Sequence, residues 1–214
     1  MKPYFTHYCF DLDGTLIDSN LTIYKATEYA LNELEIEFNV NQNDFALKIG
    51  QHFLDIFEAF GIKVNDFEKF ITIYKNGYFN FINYSKIYPD VEKTFIELKK
   101  NKSKVSLLTT KGQDQAEKIV DHFNLSQYFD LVMGRRDGIA HKPSAEPFLI
   151  ICNELNAKPK DSLLVGDTEL DIQCGKNAGA KTCGVLYGYR TKDLIAKEQP
   201  DFIVNSIKDV LSLN

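Results

Sequence analysis

A short apolar run, Tyr8-Cys9-Phe10, ends directly in Asp11-Leu12-Asp13-Gly14-Thr15. The run reads as a buried strand, and the two aspartates stand where it stops. Ligands of open α/β sheets bind outside the carboxyl ends of strands. Strand side chains repeat every second residue, so the spacing predicts both acids on one side. Two carboxylates held that close repel unless a cation lies between them or one takes a proton. A calcium loop of the EF-hand type is excluded, because it needs Gly at its sixth position and Glu at its twelfth. Counted from Asp11, those positions hold Leu16 and Thr22. An acidic turn remains the plain alternative, since Asp and Gly are ordinary turn residues. The remainder of the chain has to decide between them.

Strand-length apolar runs recur at Val105–Leu108, Leu131–Met133, Leu163–Val165, Thr182–Leu186 and Phe202–Val204. Helical patterns separate most of them. Val91, Phe95 and Leu98 share a helical face, as do Ala116, Ile119, Val120 and Phe123, and again Phe148, Ile151, Cys152 and Leu155. Strands alternating with amphipathic helices predict a parallel sheet covered on both faces. Residues 19–85 break the alternation and contain no convincing strand. Ile23, Ala26, Ala30 and Leu34 form one stripe, and Phe53, Ile56, Phe57 and Phe60 suggest a helix ended by Gly61. Phe67, Phe70, Ile71, Tyr74, Tyr78, Phe81 and Ile82 form a long aromatic stripe. Wide apolar faces pack most simply on each other, so the stripe reads as the core of a small bundle. Ser19 is the expected N-cap of the first helix, and Pro89 marks the return to the α/β body. The predicted organisation is an α/β core, 1–18 and 86–214, with an all-helical insert at 19–85.

The chain has 214 residues with a net charge of −5, which gives no support for a nucleic-acid or anionic-membrane partner. No apolar run approaches the roughly 20 residues that span a bilayer. Met1-Lys2-Pro3-Tyr4 is read as entering a strand directly, without a signal core. Cys9, Cys152, Cys174 and Cys183 lie far apart and form no CxxC pair. They read as buried thiols of a reducing, cytoplasmic setting.

Three other strand ends carry polar groups. Val105-Ser106-Leu107-Leu108 runs into Thr109-Thr110-Lys111-Gly112, and a hydroxyl before a helix N-terminus suits an anion, though Ser and Thr are also common caps. His141-Lys142-Pro143 precedes a helix and offers either an aimed charge or a solvated surface lysine. Leu163-Leu164-Val165-Gly166-Asp167-Thr168-Glu169-Leu170-Asp171 puts two aspartates four apart at a helix start. Such acids also serve as dipole partners. A divalent cation, however, wants oxygens from separate strand tips.

In their order, DLDGT, LTTKG, HKP and VGDTELD resemble the haloacid dehalogenase superfamily over nearly the whole chain. The branch resembled carries a helical cap and includes phosphoglycolate phosphatase. The resemblance implies a Rossmann-like core, Mg2+ as cofactor and a small phosphorylated metabolite as substrate. It implies no nucleic-acid or membrane partner, and a monomer or homodimer. Asp11 is then the nucleophile that becomes an aspartyl phosphate, and Asp13 the general acid and base. The carboxylates of Asp11 and Asp167 and the main-chain carbonyl of Asp13 are implied metal ligands. Asp171 holds a metal-bound water or orients its neighbours. Thr109 and the backbone near Leu12 and Thr110 bind the phosphoryl group, and Lys142 balances its charge. Thr110 stands where many relatives have Asn, Asp90 where Gly is common, and Ala145 where a second proline is frequent.

The implied activity is hydrolysis of a small phosphomonoester resembling 2-phosphoglycolate. A phosphomutase of the β-phosphoglucomutase type, a pyrophosphatase and a nucleotidase are the alternatives. The second acid, Asp13, favours a phosphatase or phosphomutase over a dehalogenase, and Thr15 leans toward the phosphatase. A non-catalytic binding protein on the same fold is the reading from another class, and the complete set of site residues argues against it. The stretch Lys48-Ile49-Gly50-Gln51-His52-Phe53 is similar to a substrate-facing cap loop, which makes Gln51 and His52 candidates for contact with the leaving group. A surface histidine on a helix is the alternative.

Overall fold

The computed structural model describes residues 5–213. The segment Met1–Tyr4, read above as leading into a strand, lies outside the described residues. The strands are β1 (His7–Phe10), β2 (Ile17–Asp18), β3 (Lys86–Ile87), β4 (Lys104–Gly112), β5 (Leu131–Arg135), β6 (Ser162–Gly166), β7 (Lys181–Val185) and β8 (Phe202–Val204). The helices are α1 (Asn20–Asn32), α2 (Gln42–Ala46), α3 (Phe53–Ala59), α4 (Phe67–Tyr78), α5 (Val91–Lys100), α6 (Gln113–His122), α7 (Glu146–Glu154), α8 (Glu169–Asn177) and α9 (Lys192–Lys197). The chain divides into two compact units, Met1–Leu16 with Ile87–Asn214, and Ile17–Lys86. β2 and β3, where the chain crosses that division, pair with each other.

The first unit is built on a six-stranded sheet among the described residues, in the order β5-β4-β1-β6-β7-β8. Every pair in it is parallel. This is the predicted α/β architecture. Residues of β1 alternate between its two faces. His7 and Cys9 meet α7: the His7 ring stacks on Phe148 at 5.9 Å, and Cys9 packs in one cluster with Phe148, Ile151 and Cys152. Tyr8 and Phe10 point the other way, where Phe10 meets Phe95 of α5 at 5.2 Å. Helices therefore cover both faces. The register sets Phe10 level with Leu107 and Val165, so β1 and β6 end near one height while β4 runs on past it to Gly112.

A polar cluster centred on His7 is built into this apolar interior. His7 is fully buried, and its ring nitrogens reach Ser106 Oγ at 2.7 Å and Ser162 Oγ at 3.1 Å, tying β1 to both neighbours. The apolar pattern of the first strand begins only at Tyr8 and does not include this histidine.

In the second unit α1 packs against α4, where a Cβ on Gly77 would lie 2.6 Å from the Tyr29 ring. The aromatic stripe is its core: Phe53 lies 4.8 Å from Tyr74 and Phe57 lies 4.9 Å from Phe70, ring centre to ring centre. Three local expectations are corrected. α1 ends at Asn32, so Leu34 falls beyond it and Leu31 takes the buried place. α4 stops at Tyr78, and Ile82 belongs to a separate 3-10 turn. Ser19 holds the N-cap position of α1 but makes no side-chain cap bond, because Ser19 is packed in the interior. Among the described residues no helix is long and apolar enough to cross a membrane.

Burial, followed by the nearby Lys104 charge, lowers the His7 pKa from 6.5 to about 4. Above pH 6.5 the ring is neutral in both folded and unfolded chains and its titration contributes nothing. Below it the unfolded chain takes the proton first, so stability falls until about pH 4, by about 3 kcal/mol in total. Urea unfolding of wild type and His7→Gln from pH 7.5 to 4.5 checks this. The stability gap between them narrows with acid if His7 titrates as described and stays constant if it does not.

Candidate active site

β1 ends at Phe10, and the ladder continues only as far as the Asp11 amide, which donates to Val165 O at 2.9 Å. Asp13 therefore lies past the strand, beside a turn in which Gly14 takes φ +84°. A Cβ at Gly14 would also stand 2.3 Å from Asp167 Oδ2, so only glycine fits between the two motifs.

Lys142 is the centre of the arrangement. Its side chain is 3% exposed, and its ammonium donates to Asp11 Oδ1 at 2.6 Å, Asp171 Oδ1 at 2.6 Å and the Leu108 carbonyl at 3.0 Å. Those three acceptors match the three donors of an ammonium. The surface-lysine alternative is thereby excluded. The loop that carries Lys142 is fastened to α8, since Asn177 donates to Pro143 O at 2.9 Å and the Cys174 thiol to Ser144 O at 3.1 Å.

Asp171 is held from both ends. While Oδ1 accepts from Lys142, Oδ2 accepts from the Thr168 hydroxyl at 2.7 Å and the Thr168 amide at 3.0 Å, closing a capping box at the start of α8. Asp167 accepts from Thr15 Oγ1 at 3.0 Å and from the Tyr189 amide at 2.8 Å. Oxygens of Asp11, Asp167 and Asp171, all buried, lie within 4.8 Å of one another. The Asp13 carboxylate is not part of that trio. It pairs instead with Lys111 Nζ at 3.1 Å.

The electrostatics follow from crowding. Burial raises Asp11 well above the usual carboxylate range, and Asp171 and Asp167 add to the rise while Lys142 opposes it. Burial, then Asp171, lifts Asp167 to about 7 against the pull of Tyr189, Thr15 and Arg190. For Lys142, burial alone favours the neutral amine, but Asp11 and Asp171 outweigh it and hold the amine charged. Four carboxylates (Asp11, Asp13, Asp167, Asp171) thus face two ammonium groups (Lys111, Lys142), and the outer Arg190–Glu169 fork, at 2.7 and 3.1 Å, is neutral in itself. Two negative charges remain, which one divalent cation balances. The oxygen-only donors suit a hard cation and not zinc.

Thr109 is buried within β4, which runs on to Gly112 instead of ending at Leu108 as the sequence suggested, and its Oγ1 accepts the Lys111 amide at 3.2 Å. Leu12 is fully buried and Thr110 half-buried. Gln51 and His52 belong to the helical unit, described on its own. There His52 caps α3, its Nδ1 accepting the Leu54 amide at 3.3 Å, and its ring lies 5.3 Å from Phe67.

A sequence model of the haloacid dehalogenase-like hydrolases matches residues 8–185. The chain is 36% identical over 205 residues to a phosphoglycolate phosphatase of Aquifex aeolicus, covering 95% of this chain and 94% of that one. It is 33% identical over 207 residues to a pyrophosphatase PpaX of Bacillus cereus, again covering 95% and 94%. The chain belongs to the haloacid dehalogenase-like hydrolase family. A family hydrolase from Streptococcus pneumoniae superposes with a TM-score of 0.86 over 98% of both chains at 22% identity, a likeness of fold.

Several contributors carry no role in the family motifs. Lys111 follows the two threonines directly. The loop after β7 supplies the Tyr189 amide, the Arg190–Glu169 fork and Tyr187, whose hydroxyl donates to Thr15 O at 2.9 Å. The available signal was positional: β7 is the next strand out from β6, and its end carries Tyr187-Gly188-Tyr189-Arg190.

Gly166 tests the packing. A Cβ there would lie 2.1 Å from Asp171 Cγ, with no flexible chain end to give way. Gly166→Ala is expected to cost about 1–3 kcal/mol, a fall in melting temperature of roughly 2–10 °C. Calorimetric melts measure it, and an unchanged melting temperature contradicts the tight seat assigned to Asp171.

Proposed function

We propose that this protein is a magnesium-dependent phosphatase of small phosphomonoesters resembling 2-phosphoglycolate. The observation that carries the reading is Lys142 bridging Asp11 and Asp171 beside Asp167, an acid cluster short of one divalent cation. The 36%-identical phosphoglycolate phosphatase supports the substrate class.

In this mechanism an Asp11 oxygen bonds to phosphorus as the phosphorus–oxygen bond to the leaving group breaks. Asp13 gives its proton to the departing oxygen. Water then attacks the phosphorus of the aspartyl phosphate, Asp13 takes the water proton, and inorganic phosphate leaves with Asp11 restored. Splitting the displacement lowers each barrier. Thr109 donates to a phosphoryl oxygen, with the amides at Leu12 and Thr110 beside it. Lys142 offsets the charge that gathers on the phosphoryl group, and Asp171 keeps Lys142 in place. The carboxylates of Asp11 and Asp167 and the carbonyl of Asp13 would hold Mg2+, whose charge would stabilise the phosphoryl oxygens. The helical unit acts as the cap, with Gln51 and His52 toward the leaving group. The setting is cytoplasmic, which suits four buried free cysteines, and the protein works as a monomer or homodimer.

Pyrophosphate is the second reading, supported by the 33%-identical pyrophosphatase of Bacillus cereus. A panel of phosphomonoesters, pyrophosphate and p-nitrophenyl phosphate, assayed for phosphate release with Mg2+ or EDTA, ranks the two. Asp11→Asn is expected to lower kcat by at least about a thousandfold, and EDTA to abolish turnover. Turnover that survives both treatments rules this mechanism out, and conversion of β-glucose 1-phosphate without phosphate release moves the assignment to a mutase.

Acid should weaken magnesium binding. Asp167, lifted to about 7, carries a proton below that value, and the cation must displace it. Affinity is expected to fall by up to about tenfold per pH unit below 7. Titration calorimetry at pH 6 and 8 reads both the affinity and the released protons. Equal affinities at the two values overturn the expectation.

A further inference from the structure

A second buried ammonium has no task in the mechanism above. Lys111 lies against Asp13 at 3.1 Å with its side chain 8% exposed. The backbone aims it there. The pairing of β4 with β5 shifts register between Leu108 and Gly112, and Thr109 Oγ1 holds the Lys111 amide. Such irregularities turn side chains at strand ends and gather at active sites. Two lysines thus flank the two reacting carboxylates, Lys142 on Asp11 and Lys111 on Asp13. Lys142 is fixed by Asp11, Asp171 and the Leu108 carbonyl. Lys111 stands on the side of the acid that serves the leaving group.

We propose that Lys111 reads the charge of the leaving group. Its ammonium contacts a carboxylate or a second phosphate borne by the departing part of the substrate, and so favours phosphate esters and anhydrides with an anionic leaving group over those with a neutral one. This rests on the phosphatase reading, in which Asp13 protonates the departing oxygen. That oxygen comes within about 2.6–3.2 Å of Asp13. A carboxylate one carbon away from it, or a phosphorus bonded to it, falls near the same ammonium. Both substrate readings, 2-phosphoglycolate and pyrophosphate, share this feature. A largely buried charge is weakly screened by salt, and a group placed to bond one substrate feature rejects analogues lacking it.

Equilibrium binding tests this without turnover. The ligands are 3-phosphonopropionate and propylphosphonate, equal in backbone length but ending in a carboxylate and a methyl, titrated calorimetrically with saturating Mg2+. Wild type is expected to prefer the carboxylate by about 10- to 100-fold, the range of a charge-assisted hydrogen bond. Lys111→Met should bring the ratio to near one by weakening 3-phosphonopropionate alone, while Lys111→Arg keeps a preference. The proposal is overturned by a wild-type ratio near one, or by equal weakening of both ligands in Lys111→Met. Loss of phosphate release in the substrate panel, with the ratio intact, strikes the phosphatase reading instead.

Discussion

One buried ammonium organises this molecule. Lys142 is surrounded by carboxylates that could not share so small a space without it, and each of its three bonds comes from a different part of the chain. Asp11 follows β1, Leu108 is in β4 and Asp171 is in α8. A buried charge left without its partners is strongly destabilising, so the bonds to Lys142 act together or not at all. The close seat at Gly166 answers the same demand, because Asp171 reaches the lysine only where no Cβ intrudes, and Gly14 leaves the matching room for Asp167 beside it. The sheet supplies the frame, since parallel pairing sets Phe10 of β1 level with Leu107 of β4 and Val165 of β6.

Much of this was legible in the sequence. Apolar runs ending in acids or glycine mark the tips of β1 and β6, whereas β4 continues through the hydroxyls of Thr109 and Thr110 to Gly112, and a sheet of alternating strands and helices brings such segments together. The two helical stripes at Phe53–Phe60 and Phe67–Tyr78 marked the core of the second unit. What stayed hidden has a physical cause in each case. His7 is polar, and its place in the interior depends on two serines 99 and 155 residues away. α2 is a single short turn of helix whose five residues carry no usable periodicity. The Arg190–Glu169 fork and the Tyr187 bond to Thr15 join segments whose nearness follows from β7 lying beside β6, and from no local pattern.

The departures from the usual motifs read differently once the backbone is known. Asp90, where glycine is common, has φ +65°, a left-handed conformation that Asp tolerates better than most side chains. The requirement lies in the backbone, and Asp meets it at some cost while adding an exposed ion pair to Lys93 at 3.2 Å. Ala145 occupies the N-cap of α7, and Pro147 stands in its first turn, so a proline still starts that helix.

The charge inventory links stability to function. The site holds more carboxylates than ammonium groups, and burial raises the proton affinity of Asp11 and Asp167 in response. A fold tuned only for stability would remove one acid or add one lysine. Keeping the imbalance suits the divalent cation of the proposed mechanism, and without such a cation the excess negative charge repels an anionic substrate. The order of events follows from the electrostatics. Cation first and phosphate second is the favourable sequence, because the cation then meets a site of opposite charge and the phosphate a site whose excess charge is balanced.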